Sequence, residues 1–353
     1  TASGNRGLVT IFATQAQNGH WADWVERAGG PVATGGYVGF IRGAMPEVEP
    51  RSIKELPTSK LLRGTGLALL HTDLTDSRND VQIEFKSSPF GTQSHGYESQ
   101  NAFMLFAYGE DLLINTGYRD IYGSDHHKNW MWSTRSANSI TVSGQSQISH
   151  SAAAKGEITA FATSDEFDYV AGEAGGAYPD GLVDRFTRHI LFAKPDLVVI
   201  LDELETPEPQ TFDWWLHSPA EMRVGGQHGI EVAVGNAGCH VNMLAPEGLA
   251  VTQTSKFDPP PRERIRLTQW HLTASTTEPA RTMRFVTVLR PHRAEDEPPV
   301  EAECELTDDY CAVRAAVDGG EVVTLWRFGE GEVSAMGLTT DGDVASMRIG
   351  EGG

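Results

Sequence analysis

The residues best suited to chemistry lie in one stretch, 88–147, which is rich in histidine, tyrosine, tryptophan, arginine and asparagine. Two polar loops, 88–101 and 115–135, stand on either side of an apolar segment. Histidine titrates near neutral pH, and arginine pairs bidentately with carboxylates. Together with phenol groups these side chains suit proton transfer beside a carboxylate, while the faces of tyrosine and tryptophan suit sugar rings.

A purely structural role explains the same composition equally well. A loop of this kind can pack over a sheet, with its tryptophans and tyrosines filling a groove. The adjacent pair His126 and His127 carries little weight alone, because neighbouring residues of an extended segment point to opposite sides. The composition therefore indicates either a site or a packed loop.

A predicted hairpin ties the two loops together. Segment 103–108, a glycine-containing turn and segment 112–114 indicate two short antiparallel strands. Such a hairpin returns the chain to its starting edge, so the loops before and after it become neighbours. We therefore expect one groove, lined by His95, Arg119, Tyr122, His127 and Arg135.

Most of the remaining chain is typical of β structure. Residues 81–86 alternate apolar and polar side chains, which predicts a strand with one buried face. Segments 188–193 and 197–201 indicate a second hairpin. Further strands are predicted at 139–142, 211–217, 229–234, 264–271, 282–290, 310–317 and 322–328. The sequence predicts a mainly β protein with a large antiparallel β-sandwich.

The first part of the chain has a different character. Residues 18–28 give the only convincing helical pattern, with Asn18 as the cap and Gly29 as the end. A proline-rich connector follows at 43–60, which indicates a domain boundary. We expect a short helical domain with its connector at 1–56 and the β-sandwich domain at 57–353.

The net charge limits the classes of binding partner, and the few cysteines limit disulfide bonding. The chain has 353 residues with 28 basic and 48 acidic side chains, a net charge of −20, which argues against nucleic acid and anionic membranes. No apolar run is long enough to span a bilayer, and no secretory signal opens the chain. The spacing of Cys304 and Cys311 allows one bridge, with free thiols as the alternative.

Several ordered blocks resemble a known family, the heparinase II/III-like polysaccharide lyases, including the oligoalginate and heparin exolyase branches. The similarity is to the start of their C-terminal β domain, and it covers roughly residues 20–220. Blocks 188–204 and 214–217 resemble two later strands of the family. The matching residues of the first block are Phe90, Gly91, Ser94, His95, Asn101, Phe103, Gly117, Tyr118, His127, Trp130, Thr134 and Asn138.

The resemblance implies β-elimination on a uronate-containing polysaccharide. The uronate carboxylate is neutralised, a base removes the C5 proton, and an acid protonates the departing 4-oxygen. His95 matches the family's inward-facing histidine, so we expect it to be the catalytic residue of this chain. Substrate contacts are expected from Tyr97, Tyr118, Arg119, Tyr122, His126, His127, Trp130 and Arg135. The resemblance also implies a periplasmic or secreted location.

The sequence departs from the family at two points. The family's zinc ligands, two histidines and an aspartate, align with Tyr97, Asn115 and Ala137, which zinc does not favour. We therefore expect no metal and no cofactor. The α/α toroid that supplies the carboxylate neutraliser and the main tyrosine is represented at most by its last helix, within 1–56. The chain alone is then expected to show little activity.

Three functions are weighed on this basis. The leading hypothesis is a polysaccharide lyase, or its β-sheet half, acting on an acidic polysaccharide, since residues 119–135 form the most basic neighbourhood of the chain. A non-catalytic carbohydrate-binding or structural β module is the alternative. A glycoside hydrolase needs two convergent carboxylates, and the spacing singles out no such pair. The sequence leaves open which uronate polysaccharide is bound.

Overall fold

The computed structural model describes residues 2–32, 36–43, 46–119, 121–226 and 229–350. The chain divides into two compact units. The first comprises Thr1–Thr58 with Asp73–Asp76, and the second comprises Ser59–Thr72 with Ser77–Gly353.

The first unit is helical. It contains α1 (Ala2–Ala16), α2 (Gly19–Arg27), α3 (Gly36–Gly43) and a 3₁₀ turn at Ile53–Glu55. The predicted helix is confirmed as α2, whose first amides donate to the side chain of Asn18 at 3.0 and 3.1 Å. Within the described residues, none of the helices combines the length and apolar character that a bilayer crossing requires.

The helix α1 was not predicted from sequence. Its glycines and β-branched residues lower helix propensity, so local sequence alone favours the helix weakly. Packing stabilises it instead: Arg6 of α1 donates to the carbonyl oxygen of Ala28, just after α2, at 2.9 Å. The helical segment is therefore longer than the sequence pattern indicated.

The second unit consists of antiparallel sheets. One sheet contains β1 (Lys60–Leu62), β2 (Leu67–His71), β3 (Val81–Lys86), β4 (Ala102–Ala107) and β5 (Glu110–Leu113). Another contains, in spatial order, β15 (Ala250–Thr254), β16 (Trp270–Ser275), β11 (Phe212–Ser218) and β6 (Ile140–Val142).

The largest sheet has eight strands. In spatial order they are β12 (Arg223–Val224), β13 (Gly229–Val234), β14 (Ala237–Ala245), β17 (Ala280–Arg293), β10 (Leu197–Gln210), β9 (Arg185–Ala193), β8 (Phe167–Glu173) and β7 (Glu157–Thr163). A further sheet contains β18 (Ala302–Leu306), β19 (Tyr310–Val317), β20 (Gly320–Arg327) and β23 (Val344–Gly350). A small ribbon joins β21 (Val333–Ala335) and β22 (Leu338–Thr340).

These sheets form three layers with the eight-stranded sheet in the middle. Strand β10 shows why: Val198 and Ile200 belong to the apolar cluster shared with the two sheets on one side. Leu197, Val199 and Leu201 belong to the cluster shared with strands β19 and β20 on the other side. A strand covered on both faces is apolar throughout, which explains its continuous hydrophobic run. The predicted large antiparallel β-sandwich is confirmed.

A fully buried ion pair holds both polar loops to the central sheet. The guanidinium of Arg188 donates to the two carboxylate oxygens of Asp202 at 2.6 and 2.9 Å. Its remaining nitrogen donates to the carbonyl oxygens of Asn101 and Asn138 at 2.8 and 2.7 Å. Asn101 ends the first polar loop and Asn138 follows the second, so one side chain fixes the positions of both loop ends.

The strand predicted at 264–271 is wrong for most of its length. Residues 255–269 form an irregular loop, and the strand β16 begins only at Trp270. Three consecutive prolines, 259–261, have no amide hydrogen for a sheet ladder, so they interrupt regular pairing. The cysteine alternatives resolve as free thiols, with the sulfur atoms of Cys304 and Cys311 4.0 Å apart.

Candidate functional site

Hydrogen bonds hold the two polar loops against one another. The second loop contains a π-helical turn, His127–Met131, and a 3₁₀ turn, Thr134–Ser136. The amide of Glu98, in the first loop, donates to the carbonyl oxygen of Trp132 at 2.8 Å. The amide of Gln100 donates to the side chain of Gln147 at 2.8 Å, which adds the segment 143–150 to the assembly.

An aromatic and imidazole cluster occupies the surface where these loops meet. Exposed His95 lies 6.4 Å from the exposed ring of Tyr122, measured between ring centroids. Tyr122 packs edge-on against His127 at 5.1 Å and against Trp132 at 5.9 Å. The ring of His150 stands on Trp132 at 3.7 Å. We call these five residues the His95 cluster.

The electrostatics of the cluster favour a neutral His127. Burial lowers the pKa of its imidazole, and the nearby positive charge of Arg119 lowers it further. Its Nδ1 accepts a hydrogen bond from the amide of Gly123 at 2.9 Å, so the ring proton resides on Nε2. The neutral ring therefore supports Tyr122 from below, while exposed Arg119 remains at the surface.

Like buried His127, two further predicted contact residues lie behind the surface. His126 is 3 % exposed, its Nδ1 donates to the carbonyl oxygen of Pro259 at 2.8 Å, and its Nε2 accepts from the amide of Tyr118 at 3.2 Å. Burial lowers the pKa of this imidazole. Buried Trp130 donates to the hydroxyl of Thr116 at 3.2 Å. In this conformation both rings support the turn, and neither presents a free polar atom to a ligand.

Arg135 connects the second loop to the irregular segment 255–269. It donates to the carbonyl oxygens of Asn129 and Asp258, and its guanidinium lies 5.2 Å from the ring of Trp130. The structure thus brings His95, Arg119 and Tyr122 to one surface, whereas His127, which was predicted to line the groove, is 1 % exposed and lies beneath Tyr122. Arg135 is partly committed to main-chain carbonyls and borders a neighbouring cavity.

The remaining predicted residues differ in exposure. Tyr118 is half exposed and Tyr97 is partly buried. With exposed Asn115 and buried Ala137, Tyr97 occupies the positions where the resemblance placed zinc ligands. A phenol, an amide and a methyl group do not fit a zinc ion. Among the residues that the structure describes, no group of three His, Cys, Asp or Glu side chains could hold a metal.

Sequence reasoning did not single out three residues that the structure brings together here. Trp132 forms the centre of the His95 cluster, and His150 reaches it from a separate segment. Glu98 is 5 % exposed, and burial raises the pKa of its carboxyl to about 7. In the sequence, Glu98 could have been noticed as an acidic residue between Tyr97 and Ser99 in the first polar loop, whereas no neighbouring residue distinguished His150.

Comparison with known proteins identifies the protein family to which this chain belongs. A family model described as "Heparinase II/III-like, C-terminal" matches residues 54–304. The chain therefore belongs to this heparinase II/III-like family. A search of curated protein sequences found no match.

Solved structures agree with the family in fold. A heparan sulfate lyase from Pedobacter heparinus superposes with a TM-score of 0.69 at 13 % identity, covering 94 % of this chain and 49 % of that one. A heparinase III gene product gives 0.69 at 12 % identity, covering 93 % and 48 %. A further heparinase III gives 0.67 at 15 % identity, covering 90 % and 47 %. This chain spans about half the length of these proteins.

Proposed function

We propose that this chain is the β-sheet half of a polysaccharide lyase that cleaves a uronate-containing acidic polysaccharide by β-elimination. One observation carries the proposal: an exposed imidazole, His95, stands beside an exposed phenol, Tyr122, above a neutral His127 and next to Arg119. This surface offers a proton-transfer pair together with a cation for a carboxylate. Family membership supports the reaction class.

Each group has a distinct task in this proposal. Arg119 pairs with the uronate carboxylate, which lowers the cost of charge that develops when the C5 proton leaves. His95 transfers a proton at C5 or at the departing 4-oxygen. Tyr122 packs against the sugar ring and lies within reach of the same atoms. Tyr118, half exposed beside Arg119, extends the sugar-binding surface.

The proposal covers a shared active site. Because the chain spans about half of the heparinases it resembles, a toroid domain is proposed to supply the remaining groups. Polysaccharides of this kind are extracellular polymers, so a periplasmic or secreted location is proposed as well. The alternative, a non-catalytic carbohydrate-binding module, predicts sugar binding without any unsaturated product.

The test is elimination activity on a panel of uronate polysaccharides, measured as ultraviolet absorbance of the unsaturated product. The full-length gene product that contains this chain is the enzyme to assay. We expect His95→Ala to lower the rate about 10²–10⁴-fold, the range for loss of a general acid or base. His240→Gln is the matched control, since His240 is a partly buried histidine on β14.

Two results would contradict the proposal. One is an unchanged rate with a lower melting temperature in His95→Ala, which would make His95 a packing residue. The other is tight uronate binding without unsaturated product from the full-length protein, which would favour the binding module.

A further inference from the structure

A cavity of about 380 Å³ opens beside the His95 cluster, and Trp132 belongs to both the cavity wall and the cluster. Its wall comes from the π-helical turn, the 3₁₀ turn and the segment 143–150. The side chains that line it include Glu98, Lys128, Trp132, Arg135, Ser146 and Ser149. We call this the Glu98 cavity.

The two cations of the cavity are available to a ligand. Lys128 is exposed, and neither Lys128 nor Arg135 forms an ion pair with any residue that the structure describes. The guanidinium of Arg135 is fixed in place by the carbonyl oxygens of Asn129 and Asp258. A positioned arginine beside a free lysine is an arrangement that suits carboxylate or sulfate groups.

Among the described residues that line the cavity, Glu98 is the only acid. The nearby hydroxyls of Ser149 and Ser146 and the amide of Thr134 lower the pKa of its carboxyl. Burial nevertheless dominates and raises the pKa of this carboxyl to about 7. Both the neutral and the ionised form of Glu98 are therefore accessible near neutral pH.

We propose that the Glu98 cavity is a second subsite for the acidic polysaccharide, in which Lys128 and Arg135 bind a carboxylate or sulfate substituent and Glu98 controls its entry. This inference rests on the proposed function, because it takes the ligand to be an acidic sugar chain. The shared Trp132 places the cavity next to the His95 cluster, so neighbouring sugars of one chain would occupy the two.

Protonation of Glu98 sets the strength of the local positive field. Ionised Glu98 repels an anion and offsets one of the two cations, whereas neutral Glu98 can donate a hydrogen bond to it. The charged groups that face Glu98 are Arg135 from the 3₁₀ turn and Lys128 from the π-helical turn; segment 143–150 brings serine hydroxyls and the nearby His150.

A ligand that binds only the neutral form of Glu98 loses affinity as pH rises through about 7. Between about pH 5.5 and about pH 8.5 the loss is at most about 30-fold. The effect of Glu98 is read from the difference between variants that do and do not carry the Glu98→Gln change.

The experiment measures binding by calorimetry to the 353-residue chain carrying His95→Ala, which prevents turnover. Three tetrasaccharides serve as probes: a uronate without sulfate, a sulfated galactan without uronate, and neutral cellotetraose. We expect the acidic probes to bind more weakly at about pH 8.5 than at about pH 5.5. Glu98→Gln should reduce this pH effect to below about 3-fold. Asp125→Asn, which changes an exposed acid on the second polar loop, is the control.

Preference for the uronate or for the sulfated probe assigns the substituent, and both outcomes support the subsite. Lys128→Ala tests it independently of Glu98; because Lys128 is exposed, folding is preserved, and affinity should fall about five-fold, the upper end for an exposed ion pair. Equal binding of neutral and acidic probes, no binding of either acidic probe, or an unchanged pH effect in Glu98→Gln would each overturn the inference. Failure of the lyase proposal would be seen in the elimination assay instead, as a rate that does not change in His95→Ala.

Discussion

Replacing Arg188 by methionine should unfold much of the protein, because this side chain has no exposure and four hydrogen bonds. Its loss leaves the buried carboxylate of Asp202 with the indole of Trp214 as its remaining donor, at 2.9 Å. Removing one partner of a buried ion pair costs about 3–5 kcal/mol. The carbonyl oxygen of Asn101 also loses this donor, which adds about 1–3 kcal/mol. The carbonyl oxygen of Asn138 keeps the amide of Phe103 as a donor, at 3.4 Å. The total approaches the whole stability of a typical domain, about 5–15 kcal/mol.

Urea unfolding followed by tryptophan fluorescence measures the change. Arg185→Met is the matched control on the same strand, since the Arg185 side chain is 38 % exposed and pairs with Glu203 and Glu205. We expect it to cost below about 1 kcal/mol. Adding Asp202→Leu to Arg188→Met should recover part of the loss, because the uncompensated charge is removed. If Arg188→Met and Arg185→Met lower the unfolding free energy equally, the buried network does not hold the loops as described.

Three further outcomes are expected. Gly117→Ala should lower the free energy of unfolding by about 1–3 kcal/mol, because the φ of Gly117 is +103° and a new Cβ would lie 2.5 Å from the side chain of Met131. Thermal unfolding measures this change, and an unchanged melting temperature would contradict it. The raised pKa of Glu98, about 7 when folded, means that its neutral form stabilises the fold below about pH 4.5 and that this contribution is lost as pH rises to about 7. Glu98→Gln should therefore exceed the wild type in unfolding free energy by up to about 3 kcal/mol at about pH 8, and should match it near pH 4; equal pH profiles would refute this. Elemental analysis of the purified chain should find no stoichiometric zinc, and one zinc per chain would reverse that prediction.

Strand positions could be predicted wherever one physical rule dominates. The alternation in 81–86 gave the bounds of β3, and the segments 229–234 and 310–317 gave those of β13 and β19. In each case a face buried against another sheet imposes a period of two on the sequence. The network around Arg188 was not predicted, because its partners are separated by up to 87 residues and leave no periodic trace.

The candidate site could be predicted only in part. The hairpin between the loops placed His95 near Tyr122, since a hairpin returns the chain to the edge where it started. Burial of His126 could not be read from its neighbours, because its hydrogen-bond acceptor is the carbonyl oxygen of Pro259, 133 residues away. His150 was missed for the same reason: its contact with Trp132 depends on how two loops fold over one another.

The irregular segment 255–269 supports part of the second polar loop through its main chain. It holds His126 and Arg135 through the carbonyl oxygens of Pro259 and Asp258, groups that every amino acid provides. Side chains at these two positions can therefore change through mutation while the contacts persist, provided that the backbone path is kept. The segment borders the two polar loops, so under the proposed function related chains can acquire new sugar preferences there without losing the support beneath them.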